Sequence, residues 1–400
     1  MLSRTKITVM SLQHLLAMFG ATVLVPVLVG IPPSVALFTS GVGTLIFHFC
    51  TQFKVPAYLG SSFAYIAPII TVTSYYAANG NSTEAIAYAT GGILVAGFVK
   101  MLFAYLMKKI GVEKITKVFT PVITGTMIVL IGLILASVAV DMAASNWVLA
   151  LVAMGAIIIT KIFGRGFTKL LPIIFGAVAG YLVALALGEV TFEVTKIVSI
   201  PHFVLPKFSW YAFSIVVPAA IAPAIEHIGD IFVISETAGK PFYKDPGMHR
   251  TLFGDGLATS FAGLLGGPAN TTYSENTGVM ALTKVYDPVI MRIAAVFAII
   301  LSFFPPVEAA IMSIPQAVMG GISIFLFGMI ASIGMKVLVT NKVKFTDKNL
   351  IIMSLMLIFG LGGAAFSYGE FNLQGLGLAA IIGVILQLVL PGEKHEDTTK

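Results

Sequence analysis

Charge is what this chain has least of. Of its 400 residues, 10% are Asp, Glu, Lys or Arg, against 58% that are hydrophobic. A soluble domain carries about 25% charged residues. Too few are present here to coat a water-facing surface, so the solvent of most of the chain is lipid. Cysteine is almost absent: the single Cys50 excludes an intrachain disulfide and a cysteine-based zinc site. No His-Glu-x-x-His pattern or other metal or cofactor motif is present, and none is expected. The formal net charge is +6. The cations are scattered through short loops rather than clustered, which excludes a nucleic-acid partner and reads as a topology signal.

What is there is a succession of apolar runs. The first, residues 9–30, follows a basic head and is close to the roughly 20 residues that span a bilayer. It reads as an uncleaved first span rather than a signal peptide. Fourteen such stretches are expected: 9–30, 33–51, 55–76, 85–107, 119–140, 146–163, 168–188, 210–236, 250–266, 268–283, 288–304, 315–337, 349–364 and 374–391. The third, ninth and tenth are the weakest as helices. Pro, Gly and hydroxyl residues interrupt the third and tenth. With the N-terminus in the cytoplasm, alternation places every Lys and Arg except Lys196 and Lys207 on the cytoplasmic side, Lys100, Lys394 and Lys400 included. Both termini are therefore expected there.

Two matches relate the halves, 1–200 and 201–400. VITGTMIVLIG (Val122–Gly132) lies over VMGGISIFLFG (Val318–Gly328), and PAYLGSSF (Pro56–Phe63) over PANTTYSE (Pro268–Glu275). They pair span 5 with span 12 and span 3 with span 10. A repeat of seven spans is odd, so its second copy starts from the opposite side and is inverted. Paired broken spans in an inverted repeat point to a secondary transporter with its site near the midplane. The two broken segments read as short extended stretches followed by helix starts, with Ser62 and Ser274 as N-caps. The free N–H groups of the helices would then face a bound polar molecule.

Most acids lie in expected loops; Glu226, Asp230 and Glu275 do not. In PAIEHIGDIFVI, Glu226 and Asp230 share a helix face, while His227 lies about 100° around the helix. An acid at the centre of a span costs on the order of 2.5–3.5 kcal/mol, which is tolerated where it lines a polar cavity. Carboxylates accept N–H donors and can carry a proton, which suits a ligand with N–H groups beside C=O groups and suits proton coupling; a cationic substrate fits this chemistry as well. No Lys or Arg is expected within a span to hold an anion. A metal-dependent intramembrane enzyme is a poor alternative, because His227 does not share a face with the two acids. A channel would show no concentrative uptake.

QHLLAMFGATVLVPVL from Gln13, PAYLGSSFAYIAP from Pro56, EHIGD from Glu226, PANTTYSENTGVMA from Pro268 and PQAVMGGIS from Pro315 occur in this order. Together with ENTGVMALTK (Glu275–Lys284), this series resembles the nucleobase–ascorbate transporters, the nucleobase–cation symporter 2 family, and within it the bacterial uracil permeases. The resemblance implies an all-α polytopic membrane protein of fourteen spans in two inverted sevens. A core domain would comprise about 9–107 plus 210–304, and a gate domain about 117–190 plus 315–391. It implies a homodimer in a bacterial inner membrane, and proton symport of a nucleobase, uracil first. Glu226 and Glu275 would hydrogen-bond the base, with Phe63, Ser274, Tyr273 and Ser62 beside it. Glu226, Asp230 and Glu275 would couple protons, and Gln13, His14, Asn276, His227 and Phe327 would support the site. Asp230 stands where uracil permeases usually have His, and Phe327 where they often have Tyr. Xanthine or a broader base range is therefore an alternative.

Overall fold

Where lipid is the solvent, backbone N–H and C=O groups have no water to bond and must be satisfied within the segment, so apolar runs become helices. The computed structural model describes residues 3–192 and 196–391 and is 76% helical. Lys394 and Lys400, used above for orientation, lie outside the described residues.

Helix α1 (Arg4–Val29) starts at Ser3, whose hydroxyl accepts the Lys6 N–H, and stops at Gly30 in the left-handed region. It is followed by α2 (Pro33–Cys50), strand β1 (Leu59–Ser61), α3 (Ile66–Ala78) and α4 (Ala85–Ile110). Next come α5 (Val112–Val118), α6 (Pro121–Ile134), α7 (Ala136–Ala144), α8 (Trp147–Phe163) and α9 (Pro172–Ala186). The second half holds α10 (Trp210–Ala219), α11 (Ile221–Ala238), α12 (Met248–Leu264), strand β2 (Asn270–Thr272), α13 (Ser274–Thr283) and α14 (Pro288–Ser302). It ends with α15 (Pro305–Met312), α16 (Gln316–Thr340), α17 (Asp347–Leu361), the hairpin β3 (Ala365–Tyr368) and β4 (Phe371–Gln374), and α18 (Gly375–Val389).

Each of the fourteen expected stretches coincides with helix; the fifth is split into α6 and α7, and the eighth into α10 and α11. The ninth, expected to be weak, is the uninterrupted α12. Among the described residues six helical segments are long and apolar enough to cross a membrane by themselves, or seven if α14 and α15, bent by 83°, count as one. The shorter apolar helices include α8, α9 and α18. The hairpin β3–β4 falls between two expected spans and has no counterpart in the sequence reading.

The two interrupted segments meet. β1 and β2 form an antiparallel pair in the register Leu59 with Thr272, Gly60 with Thr271 and Ser61 with Asn270. Their outer backbone groups are satisfied by side chains of neighbouring helices. Ser40 and Thr44 of α2 donate to Leu59 O at 2.7 and 3.2 Å, Leu59 N–H donates to Thr44 Oγ1 at 2.9 Å, and Thr259 of α12 donates to Asn270 O at 2.8 Å. Non-helical backbone at this depth is stable only with such partners. Gly60 is required by the close approach: a Cβ there would meet the Tyr273 ring and come within 2.7 Å of Thr22 Oγ1.

Around this pair, α2 packs on α12 and α14, and α4 on α12. Separately, α16 packs on α6, α7 and α8, and α17 on α18. Four apolar clusters fill the interior, and Phe63 is packed against all of them.

Candidate functional site

The helices that leave the strand pair define the site. A 3-10 turn (Phe63–Tyr65) leads from β1 into α3, and α13 leaves β2 directly. Helix α11 lies against α13 and β2. It carries Glu226 and Asp230 on one face, so three carboxylates, Glu226, Asp230 and Glu275, come within electrostatic reach of one another. All three are half-buried. Among the described residues none pairs with a lysine or arginine. Asp230 is held by hydroxyls: Thr272 donates to Oδ2 at 2.7 Å and Ser274 to Oδ1 at 3.2 Å. Among the described residues no side chain hydrogen-bonds Glu226 or Glu275.

The expected N-caps are corrected by this arrangement. Ser274 is the first residue of α13, not its cap, and its hydroxyl is committed to Asp230. Ser62 stands at the cap position before the 3-10 turn, but its buried hydroxyl bonds nothing among the described residues. Tyr273 is the residue before α13; its phenol donates to Ser61 O at 2.9 Å and so locks the strand pair. Phe63 is half-buried and meets Phe327 edge to face, with ring centroids 6.4 Å apart. Phe327 is buried in α16 and contributes no polar group.

His14 and Asn276 form one unit. The Asn276 amide reaches the His14 ring nitrogen Nδ1 at 3.1 Å and donates to His14 O at 3.0 Å, tying α13 to α1. Gln13, one residue earlier, is half-buried on α1. His227 is fully buried behind the acids, with Nδ1 3.4 Å from Thr272 Oγ1.

Sequence reasoning missed the most deeply buried charges. Lys100 counts above among the cytoplasmic-side cations and Asp255 is left out of the intramembrane acids, yet both are fully buried and paired, Nζ to Oδ2 at 2.7 Å. An intramembrane lysine therefore exists. Its ammonium also donates to Asn270 O at 3.1 Å and Thr259 Oγ1 at 3.3 Å, so all three of its donors are used. The helices can approach closely enough because Gly97 of α4 faces α12, where a Cβ would come within 2.5 Å of Gly256 O. Both residues lay inside the expected spans 85–107 and 250–266, and that position was the available signal.

A cavity of about 580 Å³ lies away from the acids, between α1, α9, α15 and α16, lined by apolar side chains such as Phe19, Ile173, Ile311 and Ile322. The polar chemistry sits at the strand pair, which makes that region the candidate site.

A family model described as a permease family matches residues 5–368. The chain belongs to this permease family. Membership makes it an integral membrane transporter rather than an enzyme. This permease is 45% identical over 412 residues to the uracil permease of Bacillus subtilis (strain 168), covering 96% of this chain and 93% of the relative. It is 44% identical over 405 residues to that of Bacillus caldolyticus, covering 96% and 91%. Its fold is similar to the transmembrane domain of a cyanobacterium bicarbonate transporter, BicA, with a TM-score of 0.64 at 16% identity, covering 97% of this chain and 98% of the other.

Proposed function

We propose that this permease is a proton-coupled symporter that imports a nucleobase, uracil first. The observation that carries the reading is the pair of half-buried carboxylates, Glu226 and Glu275, that no protein side chain satisfies, beside the paired extended segments. A pyrimidine base presents N–H donors beside C=O acceptors. Carboxylates accept the former, and the free N–H groups where α13 begins serve the latter. Phe63 offers an apolar ring for a flat heterocycle. Glu226, Asp230 and Glu275 are the groups able to carry the coupled proton. His14, Asn276, Tyr273 and Phe327 shape the surroundings. The similarity to two uracil permeases favours uracil; Asp230 makes xanthine the comparison substrate.

In this reading the fourteen stretches span the membrane as two inverted sevens with both termini cytoplasmic. The antiparallel meeting of β1 and β2, one from each half, supports it. So does the grouping of α2, α4, α12 and α14 apart from α6, α7, α8 and α16, as core and gate. Phe63, packed between them, marks the surface on which they would move. The protein acts as a homodimer.

Purified protein in proteoliposomes tests the function. Labelled uracil should accumulate when the proton gradient is inward and stop accumulating when it is collapsed, and Glu275→Gln should abolish accumulation. Accumulation that ignores the gradient, or that Glu275→Gln leaves intact, refutes the mechanism. Preference for labelled xanthine would replace the substrate.

A further inference from the structure

A row of polar contacts runs from Asp230 into the protein, hydrogen-bonded as far as His227 and continued to Asp255 by a 3.9 Å electrostatic contact rather than a hydrogen bond. Asp230 Oδ2 accepts from Thr272 Oγ1 at 2.7 Å; Thr272 Oγ1 lies 3.4 Å from His227 Nδ1; His227 Nδ1 lies 3.9 Å from Asp255 Oδ1; and Asp255 Oδ2 is paired with Lys100 at 2.7 Å. Counting hydrogens along this path assigns its polarity. A threonine hydroxyl has one hydrogen, and here it is given to Asp230. Thr272 can then meet His227 only as an acceptor, so the ring carries its proton on Nδ1, pointing between Thr272 Oγ1 and Asp255 Oδ1. Nothing on the other side of the ring opposes this, because Nε2 is buried without a partner among the described residues. The tautomer is therefore decided at Nδ1. The Lys100–Asp255 pair leaves no net charge beside the ring.

This polarity holds only while Asp230 is a carboxylate. A proton on Oδ2 turns Asp230 into a donor, and Thr272 must accept it. The Thr272 hydrogen then rotates toward His227 Nδ1, which must present a lone pair; the ring loses its Nδ1 proton and gains one on Nε2 by exchange with water, so it stays neutral with its proton count unchanged. We propose that Thr272 and His227 form a hydrogen-bond switch that reports the protonation of Asp230 to the buried Lys100–Asp255 pair. Both are positioning residues, acting on the site through Asp230. The inference rests on the reading of Asp230 as a proton-carrying group. The other ionisable groups around Asp230 are Glu226 one turn earlier on α11, Glu275 on α13, and Asp255 and Lys100 from α12 and α4. Helices α6 and α18, which also pack on α11, contribute none; α10 brings Tyr211, and the turn Tyr243–Gly247, which meets α11 at Phe232, brings Tyr243, Lys244 and Asp245, the last paired with Lys54. Because Lys100 also donates to Asn270 O, the switch ends on the backbone of β2, which the strand pair shares with the start of α3.

The test is the tautomer itself. Full-length protein labelled with 15N-histidine, in lipid nanodiscs, is measured by NMR across about pH 5 to 8, where histidine and its partners are accessible. His227→Gln identifies the His227 signals. The expected result is Nδ1–H at the alkaline end and Nε2–H at the acid end, with no imidazolium. In Thr272→Val the ring should keep one tautomer throughout, and Thr272→Ser should restore the change. A wild-type tautomer that never changes refutes the switch. So does a change that persists in Thr272→Val. Uracil titrated into the same wild-type sample separates the two readings: absence of binding refutes the nucleobase assignment, and the tautomer result stands apart from it.

Discussion

Replacing Lys100 by Met removes one partner of a fully buried ion pair and leaves the Asp255 carboxylate with only the His227 ring, 3.9 Å away, near it among the described residues. Removing one partner of a buried pair typically costs about 3–5 kcal/mol, because the remaining charge is desolvated without compensation. The three bonds of the ammonium are not equally at stake. Asn270 O keeps its 2.8 Å bond from Thr259, so the backbone carbonyl stays satisfied. The loss falls mainly on Asp255, whose Oδ1 has no hydrogen-bond partner among the described residues. Removing both charges in Lys100→Met/Asp255→Leu should therefore recover much of the loss, since replacing a buried pair by apolar side chains is often neutral or better. The cycle of two single variants and the double is read by unfolding of the purified protein in one detergent. The expected coupling is about 2 kcal/mol or more, within the usual range for residues sharing a network. A Lys100→Met variant as stable as wild type refutes the reasoning, as does a double variant whose loss equals the sum of the singles.

Gly60→Ala should disrupt the strand pair, because its Cβ meets the Tyr273 ring and Thr22; the readout is uracil binding, and a fully competent variant contradicts the packing argument. Asn276→Ala removes both bonds to His14 and should destabilise by about 1–3 kcal/mol as the buried histidine loses its partner, measured by unfolding against wild type. Phe63→Ala should weaken uracil binding, read by titration of the folded variant, and should also lower the unfolding temperature, because Phe63 packs against all four apolar clusters. Tyr273→Phe loses one hydrogen bond to Ser61 O and should cost about 1 kcal/mol, checked in the same unfolding assay.

The helices were legible because lipid leaves an apolar run few alternatives, and the four-residue spacing of Glu226 and Asp230 was enough to place both on one face. The broken segments were legible as well: Pro56 and Pro268 open paired stretches of hydroxyl and small residues, and these become β1 and β2. What sequence could not supply was which helices cross. Lys100 reads as one of a group with Lys108 and Lys109, and only the packing of α4 on α12 reveals that it turns inward to Asp255. Ser274 had the composition of a cap, but the hydroxyl bonds Asp230, a residue 44 positions away. Thr272 drew no attention, since a threonine in a strand is ordinary; its role depends on standing between Asp230 and His227. The hairpin β3–β4 was missed because its alternation is short and its aromatic residues resemble a span end.

Equilibrium binding of uracil to the purified protein, compared with Glu226→Gln and Glu275→Gln, tests the central claim most directly. If the two carboxylates receive the N–H groups of the base, wild type binds saturably. Each variant should then lose about tenfold or more in affinity, as expected for a hydrogen bond to a charged group. Both variants binding uracil as tightly as wild type would contradict it.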